Sequence, residues 1–167
     1  MSASTHHYVI ALGSNRRGRH GSPRQELAAA VAAIGGAVMQ SQVIETAPLG
    51  PSRRRFVNAA ILIESAESPP ELLARLKRIE RSFGRRRGRR WDARVVDLDL
   101  ILWSGGAWSG PGLTVPHPLF RQRDFVLRPL AAIAPDWRDP LTGRTVRQLA
   151  TRLARLTRRA SPPRCSA

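Results

Sequence analysis

Apolar and polar positions change spacing several times along the chain, and each change predicts an element. His7 to Leu12 is rich in β-branched and aromatic residues and stops at Gly13-Ser14-Asn15, which predicts a strand. A basic, glycine-containing loop follows to Gly21. Ser22-Pro23 then opens an alanine-rich helix that Gly35-Gly36 ends. Val38 to Thr46 predicts a second strand, and Pro48-Leu49-Gly50-Pro51 with Arg53-Arg54-Arg55 a loop. Phe56 to Glu64 alternates as a third strand: Phe56, Asn58, Ala60 and Leu62 share one face, Val57, Ala59, Ile61 and Ile63 the other. Pro69-Pro70 starts a second helix that runs to Phe83, with Leu72, Leu73, Leu76, Ile79 and Phe83 as its buried stripe. Glu80 falls inside that apolar arc, where a carboxylate needs a partner.

Gly84 ends this helix, and Arg85 to Arg94 fits neither period. Val95 to Trp103 is a fourth strand, almost continuously apolar except for Asp97 and Asp99. A Gly/Trp-rich stretch of hairpin character leads to Leu113-Thr114-Val115-Pro116-His117-Pro118. Two helical pieces follow, around Leu119–Ala134 and Val146–Arg158. Strand, helix, two strands, helix, strand is the split βαβ order, so the predicted class is α+β, ferredoxin-like, with helices stacked on a mostly antiparallel sheet. A single domain over residues 7–158 is expected, with a flexible terminus at 1–6 and a disordered tail at 159–167.

Composition narrows the setting. The hydrophobic fraction of 42% over 167 residues suits one globular core. No apolar run approaches a membrane span, and the polar first residues lack a signal-peptide core. The single cysteine, Cys165, has no partner within the chain, so a cytoplasmic protein without membrane contact is expected. His6-His7 reads as part of a frayed terminus rather than a metal site. The charge is unusual: 28 basic residues against 12 acidic give +16, and Lys77 is the only lysine among them. Such a balance points to an anionic partner or to a simply solvated arginine-rich surface.

Position separates those options. Alternation puts Asp97 and Asp99 on one strand face and Val96, Leu98 and Leu100 on the other. Two carboxylates side by side repel each other and lose hydration, and a hard divalent cation relieves both costs. The run Arg85, Arg86, Arg87, Arg89, Arg90 and Arg94, with Trp91 inside it, lies just upstream. Arginine forks neutralise phosphoryl oxygens, and an arginine-aromatic loop equally suits nucleic acid. The neighbouring acids favour nucleotide chemistry. No Walker or Gly-x-Gly-x-x-Gly motif, no zinc spacing and no nucleophilic triad is present.

Six motifs then occur in order. Gly13-Ser14-Asn15, Pro48-Leu49-Gly50-Pro51, Phe56-Val57-Asn58-Ala59-Ala60, Arg94-Val95-Val96-Asp97-Leu98-Asp99-Leu100-Ile101, Thr114-Val115-Pro116-His117-Pro118 and Arg123-Asp124-Phe125-Val126-Leu127 are all present. Together, over residues 7–150, the chain resembles the 6-hydroxymethyl-7,8-dihydropterin pyrophosphokinases of folate synthesis. The resemblance implies transfer of the β,γ-pyrophosphoryl unit of ATP to the pterin's hydroxymethyl oxygen, with release of AMP. It implies catalytic roles for Arg85, Arg94, Asp97 and Asp99, the two acids holding two Mg²⁺ ions. ATP would be met by Glu80, Arg87, Trp91, Leu100, Thr114, His117 and Arg123. The pterin would lie between Phe56 and Phe125, read by Asn58 and by the Thr46, Ala47 and Leu49 stretch. A monomer with no obligate nucleic-acid partner is expected.

Departures from the family pattern are Asp92 where a small residue is usual, Phe56 for Tyr, Ala47 for Pro, Gly112 for Arg and Pro118 for Tyr. They bear on nucleotide affinity. A different class, a basic nucleic-acid-binding ferredoxin-like module, would account for the charge but not for the Asp pair.

Overall fold

The computed structural model describes residues 5–47, 54–84 and 95–160. Its sheet is built from β1 (His6–Ser14), β2 (Ala37–Gln40), β3 (Ile44–Thr46), β4 (Phe56–Ser65) and β5 (Asp97–Trp103). The order is β2-β4-β1-β5, with β3 also on β4, and every pairing is antiparallel. If β2 and β3 are taken as one interrupted strand, this is the expected ferredoxin-like order. The interruption has a local cause. Ser41 leaves the ladder, its N–H donating to the Ala60 carbonyl and its hydroxyl accepting the Ala60 N–H, both at 2.9 Å.

Helices α1 (Pro23–Ile34) and α2 (Pro69–Ser82) begin where expected. Each starts with a serine cap and a proline in the first turn, and reciprocal bonds run to Gln25 and Glu71. Both helices cover one sheet face. Leu27, Ala30 and Ile34 of α1 and Leu72 and Leu76 of α2 pack on Ile10, Leu12, Val57, Ala59, Ile61, Leu98 and Leu100. Fully burying a side chain such as Leu72 or Leu76 contributes about 1.5–3 kcal/mol. Glu80, buried in this layer, accepts the Leu98 N–H at 2.8 Å and is paired with Lys77 Nζ at 2.9 Å. It thereby satisfies a backbone donor of the edge strand β5.

Among the described residues the opposite face is covered at one end only. A β-hairpin, β6 (Trp108–Gly110) and β7 (Leu113–Val115), leads through a cis Val115–Pro116 bond to a short 3₁₀ turn at Phe120–Gln122. Helices α3 (Asp124–Ile133) and α4 (Val146–Ala160) follow. Phe120, Val126, Leu127, Leu130, Ile133, Val146 and Leu149 form a second core with Val9, Ala11, Ala60 and Ile101. Asp139, fully buried in the α3–α4 connection, braces this layer. It accepts two bonds from Arg121 at 2.6 and 2.7 Å, one from Thr142 Oγ1 at 2.6 Å and one from Leu141 N at 3.1 Å.

Several expectations need correction. The predicted helix from Leu119 is broken at Arg123, whose extended backbone (φ −109°, ψ 102°) separates the 3₁₀ turn from α3. His6 and His7 are not frayed. His7 Nε2 lies 3.0 Å from Glu64 Oε1, and the His6 ring packs edge-on against Trp103 at 5.4 Å. Strand β1 therefore includes His6, and α4 extends to Ala160, two residues into the predicted tail. Among the described residues no helix is long and apolar enough to cross a membrane.

Candidate active site

The uncovered end of the second sheet face holds a cavity of about 450 Å³. Its floor follows from strand register. Gly13 on central β1 stands between Asn58 of β4 and Asp97 of β5, and Ala11 stands between Ala60 and Asp99. The middle of each row is a small residue, so space opens above the sheet. A Cβ on Gly13 would come within 3.2 Å of Asn58 Oδ1. Thr46 and Phe56 close one side, paired across β3 and β4. Gln122, Arg123, Phe125 and Val126 close the other, because the break at Arg123 turns the chain toward the sheet just before α3.

Polar groups converge on this space. Asn58 is buried, and its Nδ2 donates to Thr46 Oγ1 at 2.9 Å. The Arg123 guanidinium lies 5.8 Å from the Phe125 ring centre, within cation–π range. Asp97 and Asp99 are both half-buried and line the wall toward the edge of β5. His117 is fixed beside that edge, its N–H donating to the Ile101 carbonyl at 3.0 Å while its Nδ1 accepts the Leu119 N–H at 3.2 Å. Burial lowers its pKa first; the Asp99 charge opposes that, and the Arg123 and Lys77 charges add to the lowering. With Nδ1 occupied as an acceptor, the neutral ring carries its proton on Nε2 and can donate from there.

Two adjacent half-buried carboxylates fit the one or two that Mg²⁺ takes when substrate oxygens and water complete its shell. Among the described residues no group of three His, Cys, Asp or Glu could hold a metal ion.

Thr46, Phe56, Asn58, Asp97, Asp99, Arg123 and Phe125 are thus brought together around one cavity. His117 stands at its edge, while Thr114 is exposed on β7 and Ala47 is exposed beside β3. Leu100 differs: its side chain is buried under α1 and α2, on the face away from the Asp pair, leaving only its backbone toward β5's edge. Glu80 likewise lies in the α2 layer, engaged with Lys77 and Leu98. Leu49, Arg85, Arg87, Trp91 and Arg94 fall outside the described residues. The sequence reading missed Gln122, the Ala11 and Gly13 floor, and Lys77. A helix boundary blurred the first, and small residues in a strand rarely announce a cavity.

The sequence profile of the 7,8-dihydro-6-hydroxymethylpterin-pyrophosphokinase (HPPK) family matches residues 9–135. The chain belongs to this family. A Synechocystis pyrophosphokinase acting on 2-amino-4-hydroxy-6-hydroxymethyldihydropteridine is 46% identical over 60% of this chain and 51% of its own length. The enzymes of that name from Haemophilus influenzae and Pseudomonas aeruginosa are 41% and 39% identical over 76% and 78% of the chain, and 81% and 82% of their own lengths. The chain therefore spans about half of the first relative and about four-fifths of the other two. The Plasmodium falciparum HPPK-DHPS crystal structure shares the fold, with a TM-score of 0.76 at 13% identity over 94% of this chain and 42% of that one.

Proposed function

We propose that the protein transfers pyrophosphate from Mg-ATP to the hydroxymethyl oxygen of 6-hydroxymethyl-7,8-dihydropterin, releasing AMP, as a step of folate synthesis. The observation that carries this reading is the cavity itself. Two aromatic side chains, Phe56 and Phe125, and a buried amide, Asn58, line the same space as the Asp97/Asp99 pair. A flat, polar-edged heterocycle and a metal-bound polyphosphate find adjacent, chemically distinct walls there. Family membership and relatives named for this activity support it.

In this reading the pterin ring stacks on Phe56 and Phe125, and the Asn58–Thr46 pair hydrogen-bonds its polar edge. Asp97 and Asp99 would hold two Mg²⁺ ions against the triphosphate, where the ions screen charge on the transferring group. The hydroxymethyl oxygen, losing its proton to solvent, forms a bond to the β-phosphorus as the bond from that phosphorus to the α,β-bridging oxygen breaks, and AMP departs with that oxygen. Arg123 and the Nε2–H of neutral His117 are placed to bind phosphate oxygens on the β5 side. Arg85, Arg87, Arg94 and Trp91 are assigned to the nucleotide by family position. Among the described residues lining the cavity none is a strong base poised for the hydroxyl, so in this reading positioning and electrostatics carry the rate.

The second sheet face, which a nucleic-acid-binding sheet would present, is occupied instead by α3, α4 and this cavity. The deciding experiment supplies MgATP and the pterin to purified protein and follows AMP. Folded protein that forms no pterin-dependent AMP would overturn the assignment.

A further inference from the structure

The first turn of α1 contains a buried acid that the reaction outlined above does not use. Glu26, in the first turn of α1, is fully buried. Its Oε1 accepts the backbone N–H of His20 at 2.6 Å and of Gly21 at 3.1 Å, and its Oε2 lies 2.9 Å from His20 Nδ1. A carboxylate without water needs several such donors, so it dictates the path of the turn around it.

That turn reaches the end of α2 and the start of β5 together. The His20 ring packs on Phe83 with centroids 4.7 Å apart, and the Arg19 guanidinium lies 5.6 Å from the same ring. Gly18 fills the gap between Glu26 and Val95 so closely that a Cβ there would lie 2.6 Å from both Glu26 Oε1 and Val95 Cγ1. Ser14 Oγ donates to the Val95 carbonyl at 2.5 Å. Gly84 in turn stands against Val95, its notional Cβ 3.7 Å from Cγ2. One turn therefore contacts both Phe83 at the end of α2 and Val95, which lies two residues before Asp97.

We infer that the Gly18–His20 turn, set by buried Glu26, positions the nucleotide half of the reaction. Glu26, Gly18 and His20 are positioning residues: they touch no substrate, but fix Val95 and, two residues on, where the first carboxylate stands. The inference rests on the pyrophosphokinase reading above. A turn that merely led into α1 would affect stability and both substrates alike. A positioning turn separates them, because the pterin walls at Phe56, Asn58 and Phe125 lie on other elements.

The test uses the full chain with Gly18→Ala and, separately, His20→Ala. The first drives a methyl into buried Glu26 and Val95. The second removes the ring from Phe83 and keeps both backbone bonds to Glu26, so one variant remains informative if the other folds poorly. Pterin affinity without nucleotide should stay within about twofold of wild type. Turnover with saturating MgATP should fall about tenfold to a hundredfold, the scale of a small misplacement of reacting groups. Hydrogen exchange at Phe83, Gly84 and Val95 should quicken in both variants. Turnover and the KM for ATP unchanged in both, or pterin affinity lost in step with turnover, would overturn the positioning role alone. A wild type that makes no AMP overturns the reading beneath it, and this role with it.

Discussion

Asn58→Leu tests the pterin wall with one side chain. Leucine has a similar volume and keeps the strand, so the change removes polarity more than shape. Asn58 is buried, and its Nδ2 donates to Thr46 Oγ1 at 2.9 Å. Its Oδ1 lies over Gly13, where a Cβ would approach to 3.2 Å, on the floor of the cavity. The substitution leaves a bound pterin with an unanswered N–H and leaves Thr46 without its partner. Each buried group left unpaired costs about 1–3 kcal/mol. In the free protein, water entering the open cavity serves Thr46, so the term in binding is one group's worth. That is about a tenfold to hundredfold rise in the pterin Kd. Calorimetric or fluorescence titration of apo protein with pterin reads it directly. A non-hydrolysable ATP analogue, titrated separately with Mg²⁺, should bind within about twofold of wild type, because the Asp wall is untouched. Pterin affinity unchanged by the substitution would refute the placement of the ring against Asn58. Equal loss of both ligands would show that the cavity as a whole had been disturbed.

Three other outcomes are expected. Asp97→Asn and Asp99→Asn keep the side-chain shape but remove the charge that would hold Mg²⁺. Each should lower turnover at least about a hundredfold with pterin affinity retained, and activity near wild type at limiting Mg²⁺ would reject the metal role. Phe125→Ala removes one stacking face and should weaken pterin binding by about 1–3 kcal/mol, as aromatic platforms under bases do, measured by the same titration. Asp139→Asn breaks a buried pair with Arg121, and should destabilise by about 3 kcal/mol and lower Tm by roughly 6–12 °C in thermal unfolding. Burial alone would raise the Asp139 pKa, but the bonds from Arg121, Thr142 and the Leu141 N–H outweigh it and hold the carboxyl below its ordinary value. The sign follows: the folded state binds this proton less readily than the unfolded chain. Its contribution is therefore complete above the unfolded carboxyl pKa of about 3.9 and disappears as pH falls through the lower folded value. The wild-type advantage over Asp139→Asn should shrink in that acid window.

What could be read from the sequence divides along physical lines. Strand faces were legible because alternation is strict: Val57, Ala59, Ile61 and Ile63 do enter one core, and Asp97 and Asp99 do face away from Leu98 and Leu100. Glu80's need of a partner was legible from its place in an apolar arc, and the partners proved to be Lys77 and the Leu98 N–H. The second layer was not legible as a layer. Helical periodicity showed two further helices, but nothing local to Val126 or Leu130 names Val9 and Ala60 as the surface they cover. The break at Arg123 was hidden because both flanks are helical and the residue itself carries no breaker signal. Yet that break creates the site. A helix continuous from Leu119 would keep residues 122–125 in helical register instead of turning them toward the floor at Gly13 and Ala11. Phe125 and Arg123 line the cavity with Asp97 and Asp99, and Asp139 anchors the preceding 3₁₀ turn through Arg121 at 2.6 and 2.7 Å. The bonds that make Asp139 a stability determinant thus hold the turn that leads into the second wall of the cavity. Relaxing them should loosen that wall before it unfolds the sheet.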